Sequence, residues 1–121
     1  MKKILIVDDQ KEVRELVEVT LNIGDYEISQ AENGEKALEI ARSELPNLIL
    51  LDVQMPGELD GFDVCETLKK DPETSGITII MLTAMGQEID KKRGDKVGCD
   101  GYYTKPFSPL ELMNKVEEIL G

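Results

Sequence analysis

Acidic residues stand at the ends of two apolar runs in this sequence. Asp8 and Asp9 follow the run Ile4 to Val7, and Asp52 follows the run Leu48 to Leu51. Continuous runs of Leu, Ile and Val are typical of parallel strands buried on both faces, and the carboxyl ends of such strands share one edge of the sheet. Two carboxylates ~4 Å apart repel by about 4 kcal/mol at an effective dielectric constant near 20. The sequence therefore predicts an acidic cluster that a positive group must neutralise.

Two more polar residues end the other strand candidates. Thr83 follows the run Thr78 to Leu82, and Lys105 follows the weaker run Gly101 to Thr104. Lys105 supplies one positive charge, and a hard cation with oxygen ligands, Mg²⁺ or alternatively Mn²⁺, supplies the rest. Carboxylates, a cation, a hydroxyl and an ammonium group together are suited to hold a phosphoryl group.

Each of these residues also has a purely structural interpretation when it is taken alone. Asp9 is a candidate N-cap of the first helix, with Glu12 completing a capping box. Asp52 is a candidate turn residue, Thr83 a β-branched strand residue, and Lys105 a solvated surface charge. The phosphoryl interpretation depends on the convergence of all of them at one edge.

Strand candidates alternate with segments of helical spacing along the whole chain, which predicts an α/β fold with a parallel sheet, five strands and five helices. The fifth strand candidate is Glu27 to Ala31, second in chain order. The apolar stripes of three helices are Val13, Leu16, Val17 and Leu21; Ala37, Leu38, Ala41 and Leu45; and Leu112, Met113, Val116, Ile119 and Leu120. Each stripe is expected to pack against the sheet.

Helix boundaries follow from capping residues and prolines. Gly24 is expected to close the first helix and Asn33 to cap the second, while Pro46 and Pro72 mark the ends of two helices. The last helix is expected to begin near Pro109, with Ser108 as its cap and Glu111 bonding back. The fourth helix, around Glu88 to Val97, has few large apolar residues, so it is a candidate moving part.

Composition excludes several classes of function. The chain has 121 residues, which suits one domain over 1–121, and its net charge of −11 disfavours direct contact with nucleic acid or anionic membranes. It has no histidine, which excludes Ser-His-Asp and Cys-His nucleophile pairs and His-ligated metal sites. Cys65 and Cys99 have no metal-ligand spacing and read as reduced thiols of a cytoplasmic protein. Asp8 and Asp9 interrupt the first apolar run before a signal peptide or membrane span could form.

Four separate segments of the sequence resemble the receiver domain of bacterial two-component response regulators. They are Asp8-Asp9; Leu51-Asp52-Val53-Gln54-Met55-Pro56-Gly57 with Asp60-Gly61; Thr83-Ala84; and Tyr102-Tyr103-Thr104-Lys105-Pro106-Phe107. The resemblance covers the whole chain. It implies a flavodoxin-like, doubly wound parallel sheet with strand order 2-1-3-4-5.

The resemblance also implies roles for the polar residues. Asp52 would accept a phosphoryl group from a phosphohistidine on a sensor histidine kinase or a histidine phosphotransfer protein. Asp9, Asp52 and the backbone carbonyl of Gln54 would bind Mg²⁺, with Asp8 acting through a coordinated water. Lys105 would contact the acceptor and then the phosphoryl oxygens.

A second group of residues would switch or tune the domain. The resemblance implies that Thr83 turns toward the phosphoryl group and that Tyr102 then turns inward, altering the face formed by the fourth helix, the fifth strand and the fifth helix. This face would control the binding of a downstream protein. Gln54 and Met85 would tune the lifetime of the phosphoryl group, and the peptide between Lys105 and Pro106 would be cis. The domain would assist its own phosphorylation and dephosphorylation without being a turnover enzyme.

The sequence departs from the family pattern in two places. Gly57 to Leu59 contains one residue more than the family usually has between Met-Pro and Asp-Gly. Lys96 and Gly101 stand where receivers that dimerise with winged-helix DNA-binding domains have acids. This favours a stand-alone receiver that is a monomer or a weak, phosphorylation-dependent dimer.

Exposed residues of the first helix are expected to select the kinase; they include Lys11, Arg14, Glu15 and Glu18.

Three alternatives remain at this level. The chain is alternatively an excised receiver of a larger DNA-binding regulator or hybrid kinase. A Mg²⁺-dependent phosphatase of the haloacid-dehalogenase class also uses an Asp at the end of a strand, but its motif has D-x-D after the first strand, where this chain has Asp8-Asp9. A flavodoxin-type electron carrier would need Gly, Ser and Thr donors after the first strand.

Overall fold

The computed structural model describes residues 1–55, 57–84, 95–105 and 108–120, apart from the side chains of Ala84 and Lys105. Its centre is a sheet of five parallel strands in the order β2-β1-β3-β4-β5. The strands are β1 Lys2–Val7, β2 Tyr26–Ala31, β3 Leu48–Asp52, β4 Thr78–Ala84 and β5 Gly101–Lys105. The predicted fold class, strand order and strand positions are confirmed.

Helices cover both faces of this sheet. They are α1 Lys11–Leu21, α2 Gly34–Glu44, α3 Gly61–Lys70 and a C-terminal helix, Pro109–Leu120. One hydrophobic cluster includes Leu5, Ile49 and Met81 and extends to α2 and α3. The other includes Ile6, Leu50 and Leu82 and extends to α1 and the C-terminal helix. Because alternate residues of one strand serve opposite clusters, the central strands are apolar throughout.

Capping explains where three of the helices begin. The Asn33 side chain accepts a hydrogen bond from the Lys36 N–H at 2.8 Å, as predicted. Asp60 and Asp63 form a reciprocal capping box at the start of α3. At the C-terminal helix, the Leu112 N–H donates to the Ser108 carbonyl, which agrees with Ser108 as the first cap residue.

Two leucines that the helical spacing places in the core are exposed. Leu16 is 52 % exposed, because Thr20 occupies the buried stripe of α1 and donates its hydroxyl to the Leu16 carbonyl at 2.8 Å. Leu45 is 51 % exposed and lies beyond α2 with a left-handed backbone at φ 49°. The following Pro46 disfavours right-handed helix at that position.

Other boundaries differ slightly from the predictions. Helix α1 ends at Leu21, three residues before Gly24, and Asn22 continues its last turn by donating to the Glu18 carbonyl. The predicted fourth helix lies largely outside the described residues; residues 95–97 are helical, and Val97 is buried. Among the described residues, no helix has the length and hydropathy needed to cross a bilayer.

Candidate functional site

Three carboxylates meet at the carboxyl edge of the sheet. One oxygen from each of Asp8, Asp9 and Asp52 lies within 4.8 Å of the others. Asp8 is fully buried and Asp52 is 7 % exposed, whereas Asp9 is exposed to solvent. The predicted acidic cluster is therefore present, with one of its members open to an incoming ligand.

The register of β1 and β3 brings these acids together. Val7 pairs with Leu51, so the residues that follow them, Asp8 and Asp52, are neighbours at the ends of adjacent strands. The Asp8 N–H donates to the Ala31 carbonyl of β2 at 3.2 Å, which extends the ladder by one bond.

Asp9 does not cap the first helix. The N-cap of α1 is Gln10, which makes no capping bond with its side chain. The Gln10 N–H instead donates to Asp8 Oδ1 at 2.9 Å. The structural interpretation of Asp9 as a cap is wrong, and its carboxylate is part of the cluster.

The loop after β3 presents Asp52 through close backbone packing. The Gln54 N–H donates to Asp52 Oδ1 at 3.3 Å, and the Val53 N–H donates to the Leu82 carbonyl at 3.0 Å. A Cβ on Gly61 would collide with the Asp52 carbonyl oxygen and would lie 2.9 Å from Val53 Cα. Glycine at 61 therefore permits α3 to begin directly against the end of β3.

The longer loop is anchored against α2. A Cβ on Gly34 would lie 2.7 Å from Leu59 Cβ, so glycine at the start of α2 makes room for the loop. Gly57 has φ 99°, a conformation that favours glycine. The loop borders a groove of about 420 Å³ lined by Asp9, Glu32, Asn33, Glu35 and Gly57.

Thr83 and the backbone of Lys105 lie at the same edge as the acids. Thr83 is 1 % exposed and pairs with Thr104, while Ala84 pairs with Lys105. The Lys105 side chain, the predicted cis peptide to Pro106 and the predicted tuning residue Met85 lie outside the described residues. Gln54 is exposed beside Asp52, and its carbonyl remains a predicted ligand.

Tyr102 lies on the strand next to Thr83 and faces the same side of the sheet. It pairs with Met81, and its ring packs against the core cluster that contains Cys65 and Val97. Its hydroxyl oxygen is buried and has no hydrogen-bond partner of regular geometry among the described residues. Burial raises the pKa of Tyr102, and the nearby Cys99 thiol raises it further.

The two cysteines are free thiols, as predicted. Cys65 is buried, Cys99 is half-buried, and the Cys65 thiol donates a weak hydrogen bond to the Val97 carbonyl at 3.7 Å. Burial is the main cause that raises the pKa of Cys65 to about 12.

The sequence predicts that Arg14 is exposed on the first helix, and this prediction is wrong. Arg14 is half-buried, and its guanidinium donates to the Asp8 carbonyl at 2.7 Å and to Gln30 Oε1 at 3.1 Å. Glu18 is also half-buried, whereas Lys11 and Glu15 are exposed. A basic residue near an acidic pair is common on helix surfaces, so only the fold identifies this contact.

The donor set of the cluster fits a hard divalent cation. Its three side chains offer carboxylate oxygens, which Mg²⁺ and Mn²⁺ prefer, and exposed Asp9 leaves room for water ligands. The described residues at this edge therefore meet the chemical requirements of the predicted metal site.

Comparison with known proteins decides the family. Residues 4–117 match the model of the response regulator receiver domain. The chain belongs to this receiver domain family. The assignment decides against the phosphatase and flavodoxin alternatives.

Curated relatives and solved structures agree with this assignment. The chain is 47 % identical over 119 residues to the ycf27 protein of Porphyra purpurea, covering 98 % of this chain and 47 % of that protein. It is 45 % identical over 119 residues to the phosphate regulon transcriptional regulatory protein PhoB of Pseudomonas aeruginosa, covering 98 % of this chain and 52 % of that protein. Chemotaxis protein CheY4 of Vibrio cholerae superposes with a TM-score of 0.90 at 32 % identity, covering 99 % of each chain. The receiver domain spans about half the length of the curated relatives it matches.

Proposed function

We propose that this receiver accepts a phosphoryl group on Asp52 from a phosphohistidine of a sensor histidine kinase or histidine phosphotransfer protein. The observation that carries the proposal is the convergence of the Asp8, Asp9 and Asp52 carboxylates within 4.8 Å at the carboxyl edge of the sheet. Because these 121 residues contain no histidine, the phosphohistidine must lie outside them.

The reaction is a transfer between two nucleophiles. A carboxylate oxygen of Asp52 attacks phosphorus, a bond between that oxygen and phosphorus forms, and the phosphorus–nitrogen bond to the donor imidazole breaks. The Gln54 N–H holds Asp52 Oδ1 in place during this attack. Asp8, Asp9, Asp52 and the Gln54 carbonyl would hold Mg²⁺, which neutralises negative charge that develops on the phosphoryl oxygens. Lys105 would contact the same oxygens from the end of β5.

The output of the domain is a change on the face formed by the predicted fourth helix, β5 and the C-terminal helix. Thr83 and Tyr102 face the same side of adjacent strands, which supports a switch in which the two side chains move together. The phosphoryl charge on Asp52 favours the arrangement in which the Thr83 hydroxyl turns toward it.

We expect Tyr102→Ala to accept a phosphoryl group at a rate close to wild type but to lose discrimination between partners; unchanged discrimination would contradict the switch.

Phosphorylation itself is tested by intact mass after incubation with acetyl phosphate and Mg²⁺. The wild type is expected to gain one phosphoryl group, and EDTA or Asp52→Ala is expected to abolish the gain. Asp25→Ala, an exposed acid before β2, is the matched control and should gain it normally. Absence of an adduct on the wild type, together with no response to the phosphoryl mimic beryllofluoride, would refute the proposal.

A second candidate function is the receiver of a longer DNA-binding regulator. The observation that favours it is that relatives such as PhoB are transcriptional regulators in which this receiver spans about half the length. DNA binding would then belong to another part of the protein, since the receiver carries a net charge of −11. An immunoblot of the source cells distinguishes the candidates: a band near 13.5 kDa supports a stand-alone receiver, and one of about twice that mass supports the regulator.

A further inference from the structure

Arg14 joins the end of β1 to the end of β2 from the first turn of α1. Its Nη1 donates to the backbone carbonyl of Asp8 at 2.7 Å, and its Nε donates to Gln30 Oε1 at 3.1 Å. The two bonds use different edges of one planar guanidinium, so the position of the Asp8 carbonyl is fixed relative to β2.

Gln30 is itself held by α1. Its Nε2 donates to Glu18 Oε2 at 3.0 Å, and Glu18 lies one helical turn after Arg14. Because the amide nitrogen of Gln30 is engaged by Glu18, its oxygen faces Arg14. Arg14, Gln30 and Glu18 therefore form a continuous polar network between α1, β2 and the β1–α1 loop, called the Arg14 network below.

The Asp8 carbonyl belongs to the planar peptide unit that joins Asp8 to Asp9. Orientation of this plane decides the direction in which both side chains leave the backbone. Two other hydrogen bonds hold the chain on either side of this peptide. The Asp8 N–H donates to the Ala31 carbonyl, and the Gln10 N–H donates to Asp8 Oδ1. Arg14 is the side chain that holds the peptide itself from α1.

We propose that Arg14 is a positioning residue for the carboxylate cluster, and that the Arg14 network holds the Asp8–Asp9 peptide in the orientation that a small divalent cation requires. This proposal depends on the proposed function, because it assumes that the cluster binds Mg²⁺. Mg²⁺ demands near-ideal octahedral geometry, whereas Ca²⁺ accepts irregular and larger sites. Loss of the network is therefore expected to weaken Mg²⁺ binding more than Ca²⁺ binding.

Charge alone predicts the opposite result. Arg14 carries a positive charge close to the acids, so its removal by itself would strengthen the binding of any divalent cation. A positioning role predicts weaker Mg²⁺ binding after Arg14→Met despite this loss of positive charge. Arg14→Lys keeps the charge but has a single ammonium that cannot reproduce the planar fork, and it is also expected to bind Mg²⁺ less tightly.

The test is isothermal titration of the metal-free protein with Mg²⁺ and separately with Ca²⁺. Arg14→Lys is expected to lower the Mg²⁺ affinity by about tenfold and to lower the ratio of Mg²⁺ to Ca²⁺ affinity. Gln30→Leu removes the acceptor for Arg14 Nε without changing the charge, and it is expected to shift the ratio in the same direction by a smaller factor. It keeps the proposal testable where Arg14→Met does not fold.

Arg42→Met is the matched control, because Arg42 is an exposed arginine in the last turn of α2. It should leave both affinities within twofold of wild type. Unchanged Mg²⁺ affinity and an unchanged metal ratio in Arg14→Lys and Gln30→Leu would overturn the positioning role while leaving the proposed function intact. If the wild type does not bind Mg²⁺, or if wild type and Asp9→Asn bind it with equal affinity, the proposed metal site is overturned. The positioning role is then overturned as well.

Discussion

Asp52 lies in a backbone environment that leaves no space beside its carbonyl. Gly61 abuts the carbonyl oxygen of Asp52, and its N–H donates to the Val53 carbonyl at 2.9 Å. The position of Asp52, the proposed acceptor, therefore depends on a glycine nine positions later in the chain, in the first turn of α3.

Gly61→Ala tests this dependence. We expect it to destabilise the fold by roughly 2 kcal/mol or more, because the new Cβ must displace the backbone of β3. Urea unfolding measures the loss, and phosphorylation by acetyl phosphate should slow as Asp52 shifts.

Gly76→Ala is the matched control, since nothing lies within 4 Å of the Cβ it would gain. It should be neutral or stabilising by about 0.5 kcal/mol, because alanine reduces the entropy of the unfolded chain. Equal effects of the two substitutions would contradict the close approach at Gly61.

The Cys65 thiol makes stability dependent on pH on the alkaline side. Its pKa is raised from 9.0 to about 12 in the folded protein, so the folded state holds a proton that the unfolded state loses. The free energy of unfolding is therefore unaffected by Cys65 below pH ~9 and falls as the pH rises from there toward 12. Burial also raises the pKa of Tyr102 and Tyr103, which acts in the same direction above their ordinary value of 10.0.

Urea unfolding at several pH values between 7 and 10.5 measures this effect. Cys65→Ala is expected to be less stable than wild type at pH 7, because it leaves a small cavity, but to lose less stability as the pH rises. Parallel pH profiles for the two proteins would show that the buried thiol makes no contribution.

The sequence predicts the clustered carboxylates better than the residues that position them. Asp8, Asp9 and Asp52 end strands that are apolar enough to be recognised, and strand ends converge by topology. Arg14 sits on an amphipathic helix among other charged residues, where a solvated side chain and a bonded one have the same sequence pattern. Its role depends on distances between α1, β1 and β2, which the pattern does not contain.

At the scale of elements, strands were predicted to within about two residues, but helix faces were predicted less well. The central strands are buried on both faces, and this leaves an unmistakable apolar run. The helical spacing predicts a buried Leu16, because spacing alone does not show that Thr20 takes that place with its hydroxyl bonded inside the helix. The same spacing places Leu45 in the buried stripe of α2, but the helix ends at Glu44, before Pro46.

An ion pair joins helix α3 to the residue that precedes β5. Lys69 Nζ lies 2.9 Å from Asp100 Oδ2 and also donates to the Ile77 carbonyl at 2.6 Å. The same Asp100 oxygen accepts from the Ile79 N–H at 2.7 Å. Asp100 is thereby engaged within the chain, between α3, β4 and the start of β5.

Lys69→Met is expected to lower the free energy of unfolding by about 1 to 2 kcal/mol, because it removes one partner each from the Ile77 carbonyl and from Asp100, which is 40 % exposed. Lys70→Met is the matched control: Lys70 pairs with Glu66 at 2.8 Å but is 75 % exposed. Its loss should change stability by less than about 0.5 kcal/mol. Chemical denaturation of both variants decides the point, and equal losses would contradict the role of the Lys69–Asp100 pair.

At the scale of the whole molecule, the fold gathers negative charge at one edge of an already acidic protein. The net charge is −11, and the Asp8, Asp9 and Asp52 carboxylates add a local repulsion at the carboxyl edge. This repulsion lowers the free energy of unfolding, and a bound cation should raise it again.

Asp52→Asn is expected to raise the melting temperature in EDTA by roughly 4 °C, corresponding to about 1 kcal/mol of relieved repulsion. Asparagine keeps an oxygen that can accept from the Gln54 N–H, so the loop geometry is preserved. Asp9→Asn should also raise it, and Mg²⁺ should stabilise the wild type more than either variant. Asp25→Asn controls for the change in net charge; a rise as large as that of Asp52→Asn, or a lower melting temperature in both cluster variants, would contradict the clustering.

The position of the phosphoryl group in the sequence tests whether Asp52 is the phosphoacceptor. Reduction with sodium borohydride converts the acyl phosphate of an aspartate to homoserine, which fragment masses then place in the sequence. After treatment with acetyl phosphate and Mg²⁺, we expect homoserine at position 52 and unmodified aspartate at 8, 9 and 60. Homoserine at another aspartate, with none at position 52, would contradict the assignment of Asp52 as the phosphoacceptor.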